Sequence, residues 1–161
     1  MSDGTSEQDL PRWKALVVKV FCGEEFRDHE HEWNQFKEIY ELTLKQYSES
    51  DEHIYVLANF LLSNAQIDVL ILTERGPAIL ELKSYKGLVC WSENGEWSVF
   101  TEEKEVNLGG NLFQQLQKQR FAFVKKLEKV RTGHFERIQP EKLFRIQCWG
   151  YFEKGSIYDR G

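Results

Sequence analysis

The sequence lacks the features that mark membrane proteins, secreted proteins and nonspecific nucleic-acid-coating proteins. No apolar run approaches the roughly 20 residues that a transmembrane helix requires. Residues 1–10 are polar and acidic and hold no apolar core of a secretory signal. The formal net charge of −5 is opposite to the excess of Lys and Arg expected of a protein that coats nucleic acid. We therefore expect a cytoplasmic protein that does not bind membranes.

Cysteine is scarce, and its placement excludes two further classes. Cys22, Cys90 and Cys148 are odd in number and widely separated, which fits neither a disulfide framework nor a zinc site. The chain of 161 residues is 41% hydrophobic and can form a core without such staples. We expect residues 1–14 to be a disordered lead and residues 15–161 to form one domain, either complete or the N-terminal part of a longer protein.

Hydrophobic periodicity predicts a mixed α/β fold. Apolar residues at spacings of three and four predict a helix over residues 29–47 and a second over residues 111–130, which Thr132-Gly133 ends. The predicted strands are a short strand or docking segment at 16–21, three strands at 53–62, 67–73 and 78–83, a hairpin of 88–91 with 96–100 around Asn94-Gly95, and a last strand at 143–152.

Three charged residues stand in otherwise apolar strand segments. Asp68 lies among aliphatic residues in the predicted strand 67–73, and Glu81 and Lys83 lie among aliphatic residues in the predicted strand 78–83. A buried charge is costly unless it is paired, solvated or bound to a metal. A two-residue turn at Glu74-Arg75 would place Asp68 directly opposite Glu81, with Lys83 on the same face as Glu81. The three charged groups should therefore converge at one edge of the sheet.

Two carboxylates that lie this close repel each other unless a cation sits between them. Oxygen ligands favour hard cations, so Mg²⁺ or Mn²⁺ is the expected guest. Such an ion polarises a phosphoryl oxygen and lowers the pKa of a bound water, and Lys83 could orient that water or stabilise developing charge. A structural salt bridge of Lys83 with Glu81 or Asp68 at a solvated sheet edge is the alternative that the spacing leaves open.

The pattern Asp68…Glu81-Leu82-Lys83 resembles the signature of the PD-(D/E)xK nuclease superfamily, and its surroundings resemble the NERD (nuclease-related) domain in particular. Gly76 and Gly87 lie where that family has glycines, and a hairpin with Trp97 follows. The family's next helix opens with N-P-x-x-Q. Here that helix begins Asn111-Leu112-Phe113-Gln114-Gln115, which keeps the Asn and the Gln but not the proline. The resemblance spans about residues 24–152.

This resemblance implies a restriction-endonuclease-like αβββαβ core with a central mixed sheet and an inserted β-hairpin. It implies Asp68 and Glu81 as metal ligands, the Leu82 carbonyl as a third ligand and Lys83 as the catalytic lysine. Gln115 would position substrate or water. A glutamate of the first helix often completes the metal shell in such folds; Glu32 is the expected one, and its competitors are Glu24, Glu25 and Glu30.

The second predicted helix carries the cationic excess of the chain. Residues 112–131 contain six cationic residues and one acidic residue. Four of them are the expected nucleic-acid contacts, since this helix borders the active edge in such folds: Lys118, Arg120, Lys125 and Lys126. The expected function is Mg²⁺- or Mn²⁺-dependent endonuclease or exonuclease cleavage of DNA, with RNA as the second choice, in DNA processing or defence. The alternative is a catalytically weak DNA- or partner-binding module, fused to or working with a helicase or kinase.

Overall fold

The fold is an α/β arrangement of two helices and two sheets, seen in a computed structural model that describes residues 18–24, 30–134, 145–154 and 156–159. The predicted disordered lead at residues 1–14 lies outside the described residues. In chain order the elements are β1 Val18–Cys22, α1 Glu30–Gln46, β2 Ile54–Leu62, β3 Ala65–Thr73, β4 Gly76–Lys83, β5 Gly87–Cys90, β6 Ser98–Phe100, β7 Glu105–Asn107, α2 Leu112–His134, β8 Gln147–Phe152 and β9 Ser156–Asp159.

A mixed five-stranded sheet forms the centre of the fold, in the order β1-β2-β3-β4-β8. The two hairpins β2–β3 and β3–β4 are antiparallel, whereas the outer pairs β1–β2 and β4–β8 are parallel. The turn between β3 and β4 contains only Glu74 and Arg75, because Thr73 pairs with Gly76. The predicted two-residue turn and its register are therefore confirmed.

Helix α1 covers one face of the central sheet. Phe36 and Ile39 lie on its apolar side and pack with Val56, Leu80 and other strand residues. Acidic residues in the first turn and a lysine in the last turn suit the helix dipole, which favours negative charge at the N-terminus. The predicted helix over residues 29–47 is confirmed, with its described part beginning at Glu30.

Helix α2 covers the opposite face. Leu112, Leu116 and Phe123 are buried against Ile67 and Ile79 of the sheet. The prediction that Thr132-Gly133 ends the helix is wrong, because α2 continues to His134. A single glycine in the last turn costs about 1 kcal/mol, which a long helix tolerates.

A second, four-stranded sheet in the order β7-β6-β5-β9 is larger than the predicted hairpin insert. The hairpin β5–β6 is present, with Asn94-Gly95 in a loop that continues through Trp97, so that β6 begins at Ser98 rather than at Glu96. Strands β7 and β9 were not predicted. The three residues of β7 are all exposed, so they carry no apolar alternation that a sequence reading could detect.

The last predicted strand is confirmed in part, because β8 begins at Gln147 and residues 143–144 lie outside the described residues. The central order of helix, three strands, helix and strand is the predicted one, and the fold is restriction-endonuclease-like. In the part of the chain that the structure describes, no helix is long and apolar enough to cross a membrane.

Candidate active site

The site lies where the pairing of β3 with β4 stops. The ladder runs from the turn as far as Val69 opposite Leu80, which makes Asp68 and Glu81 the next residues in the same register. There the Asp68 side chain replaces the backbone of β3 as partner of β4, since the Leu82 N–H donates to Asp68 Oδ2 at 2.8 Å. The carboxylate thus occupies the end of the hairpin rather than either hydrophobic core.

Near Asp68, the side chains of both β2 and β3 switch from one face of the sheet to the other. On β3, Ile67 packs on the α2 side and Val69 on the α1 side, although residues two apart normally share a face. The same switch separates Ala58 from Phe60 on β2. Asn59 lies between them with φ of 46°, a left-handed conformation that Asn tolerates better than most residues. Asp68 therefore lies at the point where its strand turns over.

Glu81 is 3% exposed and sits on the face that α2 covers. Three donors hold its carboxylate: Lys83 Nζ at 2.7 Å and Gln115 Nε2, both on Oε1, and Gln119 Nε2 at 2.5 Å on Oε2. Hydrogen bonds to an ionised acceptor are stronger than neutral ones. The structure therefore keeps a charged carboxylate in a buried position by surrounding it with N–H donors.

The two carboxylates are electrostatically coupled. Burial and the negative charge of Glu81 together raise the pKa of Asp68 to about 7, while the Leu82 N–H and Lys83 act in the opposite direction. Burial tends to lower the pKa of Lys83, but the charge and the hydrogen bond of Glu81 outweigh it, so the pKa is raised. Lys83 is thus a cation at neutral pH and not a base.

The structure brings together Asp68, Glu81, Lys83 and Gln115, as the sequence predicted. It also adds Gln119, which sequence reasoning missed. Gln119 is 2% exposed, and its Nε2 bridges Glu81 to the carbonyl of Gln66 at 2.9 Å. The available signal was spacing: Gln119 follows Gln115 by four residues, which puts both on one face of a helix.

A second missed glutamine approaches from the other helix. Gln35 on α1 is buried, and its Nε2 donates to the carbonyls of Lys83 at 2.9 Å and Tyr151 at 3.3 Å. This contact ties the end of β4 to β8 and fixes the backbone that carries the catalytic lysine candidate. The sequence pattern that could have identified Gln35 is its position four residues before Ile39, which places this polar residue on the buried side of α1.

Asn111 connects the start of α2 to the position of Gln115; these are the two residues that this helix opening shares with the family pattern. Its Oδ1 accepts the N–H of Gln114 at 3.1 Å, which caps the N-terminus of α2. Its Nδ2 donates to three carbonyls of the β5–β6 loop, at Ser92, Glu93 and Gly95. The cap fixes where α2 starts, and Gln115, four residues later, is thereby placed beside Glu81.

Leucine replaces the family's proline at position 112 without disturbing this start. Proline suits the first helical position because its missing N–H would have no partner there. Leu112 is instead buried, and a side chain at Gly150 of β8 would meet its Cδ2 at 2.6 Å. The departure from the pattern is accounted for by packing of α2 against β8.

Glu32 lies on the site side of α1, because its charge contributes to raising the pKa of Asp68. Among its competitors, Glu24 donates its N–H to the carbonyl of Asn59, Glu30 is exposed, and Glu25 lies outside the described residues. Across residues 18–24, 30–134, 145–154 and 156–159, no three His, Cys, Asp or Glu side chains are close enough to hold a metal ion by themselves. A ligand role for Glu32 therefore stays a prediction.

The donor set nevertheless fits a hard divalent cation. A carboxylate offers about four acceptor sites, of which the three donors on Glu81 leave one and the Leu82 N–H on Asp68 leaves three. The N–H and C=O of one strand residue point to the same edge. The Leu82 carbonyl therefore faces the side of Asp68, as its predicted ligand role requires.

Two of the four predicted nucleic-acid contacts line a groove beside the site. All four are exposed on α2. Lys118 and Lys125 line one groove beside the site, whereas Arg120 lines a neighbouring cleft with Val124 and Glu128, and Phe121 lines both. Lys126 lines neither of these two clefts. Lys118 and Lys125 thus share a groove with Gln115 and Gln119, which hold the Glu81 carboxylate.

Comparison with protein-family models matches the nuclease-related domain (NERD) over residues 28–144. Searches of curated proteins and of solved structures found no match to the chain. The matched segment is well over half of the chain and contains every residue of the site described above except Tyr151 of β8 and its neighbours. The chain belongs to the NERD (nuclease-related domain) family.

Proposed function

We propose that this domain is a divalent-metal-dependent nuclease that hydrolyses phosphodiester bonds of DNA. One observation carries the proposal: the end of the β3–β4 hairpin places Asp68 opposite the buried carboxylate of Glu81, where burial and repulsion by Glu81 raise the pKa of Asp68. Two carboxylates kept together in this way have a free-energy reason to bind a cation. Membership of a nuclease-related family supports the same reading.

Asp68, Glu81 and the Leu82 carbonyl would hold Mg²⁺ or Mn²⁺, with Glu32 as a further ligand. When bound, such an ion polarises a phosphoryl oxygen and makes a bound water more acidic. The Lys83 ammonium lies 2.7 Å from Glu81 Oε1, where it would stabilise the negative charge that develops on the phosphoryl oxygens. Gln115, already hydrogen-bonded to Glu81, would orient the attacking water through its amide.

The reaction is a hydrolysis. The water oxygen forms a bond to phosphorus, one ester P–O bond breaks, and the departing oxygen takes up a proton. The products are a phosphate monoester and an alcohol, and the second water proton leaves to solvent. Because Lys83 is held protonated by Glu81 and Asp68, it acts as a cation in this scheme and does not abstract the proton of the water.

The test is cleavage of plasmid and linear DNA in Mg²⁺ or Mn²⁺. Wild type should degrade both, and Lys83→Ala should slow cleavage by roughly 100-fold or more, the effect of removing one preorganised electrostatic group. Lys104→Ala is the matched control, since Lys104 is an exposed lysine near β7 in the second sheet. Equal rates for wild type and Lys83→Ala would refute the proposal.

A second candidate function is a binding module for DNA or a protein partner, attached to or working with a helicase or kinase. The observation that favours it is the set of donors on Glu81: the Lys83 ammonium and the amides of Gln115 and Gln119 already stabilise its carboxylate without a metal. The net charge of −5 also favours weak DNA engagement. Thermal denaturation in Mn²⁺ discriminates, because this reading predicts no stabilisation and identical behaviour of wild type and Asp68→Ala.

A further inference from the structure

A groove of about 460 Å³ lies between α2 and the β2–β3 turn, beside the carboxylate site. Its lining includes Gln66, Gln115, Gln119, Lys118, Phe121 and Lys125. Gln115 and Gln119 line the groove, and the side-chain amides of both residues also donate hydrogen bonds to Glu81. A ligand in this Phe121 groove would therefore contact the two glutamines that hold the Glu81 carboxylate.

Phe121 is not part of the hydrophobic core. Its side chain is 67% exposed, while Leu116 and Phe123 of the same helix are buried against the sheet. Single exposed apolar side chains are common on protein surfaces, so the significance of Phe121 lies in its place on the groove between two lysines. Its neighbour Ala122 also lines the groove, and this small side chain leaves the space beside the ring open.

Charge defines what the groove can accept. Lys118 and Lys125 precede and follow Phe121 by three and four residues, so the three share one side of α2. Both lysines are exposed, and none of the described residues that line the groove is acidic. The volume falls within the roughly 300–1,000 Å³ typical of small-ligand clefts. An aromatic ring between two cations suits a flat aromatic ligand that carries phosphates.

We propose that the Phe121 groove binds one unpaired nucleotide of a DNA strand beside the carboxylate site, with its base stacked on Phe121 and its flanking phosphates on Lys118 and Lys125. The ligand must be unpaired or flipped out, because neighbouring base pairs cover both faces of each base in a duplex. This inference rests on the proposed nuclease function and names its substrate class: a single-stranded or locally opened strand.

The experiment measures binding apart from cleavage. Fluorescence anisotropy with an end-labelled oligothymidylate, and with a duplex of the same length, gives Kd in EDTA, where no hydrolysis occurs. Phe121→Ala should weaken single-strand binding roughly fivefold or more, because stacking of one base is worth about 1–3 kcal/mol. Phe121→Leu should weaken it similarly, since it keeps an apolar side chain but removes the aromatic face. Phe121→Trp keeps an aromatic face and should bind the single strand about as tightly as wild type.

Phe113→Ala is the matched control. Phe113 is also an exposed phenyl on α2, at 49%, but it does not line the groove, so its removal should leave the Kd close to wild type. The proposal is overturned if Phe113→Ala and Phe121→Ala weaken binding equally, if Phe121→Leu binds as tightly as wild type, or if the duplex binds more tightly than the single strand.

Cleavage assays separate this inference from the proposed function. A protein that does not cleave DNA in Mg²⁺ or Mn²⁺, yet binds single strands in a Phe121-dependent way, would refute the nuclease proposal and support the groove. A protein that loses cleavage in Lys83→Ala, but binds strands equally well with and without Phe121, would support the nuclease and refute the groove.

Discussion

The two ends of the β3–β4 hairpin satisfy their polar groups in opposite ways. At the turn, the ladder continues to Thr73 opposite Gly76, and the Arg75 N–H donates to Thr73 Oγ1 at 3.1 Å. At the other end, the ladder stops and the carboxylate of Asp68 receives the Leu82 N–H. One end is closed by local backbone and hydroxyl contacts, while the other is completed by side chains distant in sequence.

The charges at the two ends are also opposite. The turn borders a cavity of about 170 Å³ lined by Arg75, Arg145 and Trp149, whereas the open end gathers Asp68 and Glu81. The carboxylates lie where the pairing of β3 with β4 has ended, and side chains of α2, Lys83 and the Leu82 N–H are their partners there. This difference shows that the candidate site lies at the end of the hairpin where strand pairing stops, and not at the end that is closed by the turn.

Removing a carboxylate from the open end should give the largest effect. Glu81→Ala should reduce DNA cleavage roughly 1,000-fold or more, because it removes a proposed metal ligand and the anchor of Lys83. Arg75→Ala at the turn should leave the cleavage rate unchanged. A comparable loss in both variants, measured as initial rates at saturating Mg²⁺, would mean that the two ends do not differ in function.

Neutralising Asp68 should stabilise the metal-free protein. The folded-state pKa of about 7 lies above the ordinary aspartate pKa of 3.8, so over this pH range the folded state retains a proton that the unfolded state releases. This contribution to the free energy of unfolding is present below about pH 4 and is lost as the pH rises through 7. The Asn side chain of Asp68→Asn does not titrate. The free energy of unfolding of this variant should therefore exceed that of wild type by up to about 4 kcal/mol at pH 8.

Urea denaturation in EDTA between pH 4 and pH 8 measures this difference. The exposed Asp51 supplies the control, since Asp51→Asn should follow the wild-type curve throughout. A difference between Asp68→Asn and wild type that does not change with pH would show that the open end stores no repulsion between carboxylates.

Removing a neutral side chain from the open end should give a smaller effect. Gln119→Leu leaves Glu81 Oε2 without the donor that now lies 2.5 Å away, and should lower the free energy of unfolding by about 1–3 kcal/mol. Gln114→Leu, on the exposed side of the same helix, should change it by less than about 0.5 kcal/mol. Equal effects in urea denaturation would deny Gln119 its role in supporting Glu81.

Much of the open end could be predicted because a short turn dictates register. The two residues Glu74 and Arg75 leave only one pairing of β3 with β4, and that pairing brings Asp68 to Glu81. Gln115 followed from the family resemblance and now lies on Glu81. The placement of Asp68, Glu81 and Lys83 needed only alternation along strands and a fixed turn length, whereas that of Gln115 needed the family resemblance.

The rest depends on contacts between elements distant in sequence. Gln35 and Gln119 read as ordinary polar helix positions, and only the packing of α1 and α2 reveals that both are buried. The turning over of the strands at Asn59 breaks the alternation that a sequence reading assumes. Strand β9 owes its place to its parallel pairing with β5, a partner that no local pattern specifies.

Crystals soaked in Mn²⁺ test the central claim most directly. Anomalous scattering should locate one Mn²⁺ between the carboxylates of Asp68 and Glu81, with oxygen ligands at about 2.1–2.3 Å. The Leu82 carbonyl should be among those ligands. The contrary result is a site without an anomalous peak, in which Lys83 Nζ still lies 2.7 Å from Glu81 Oε1.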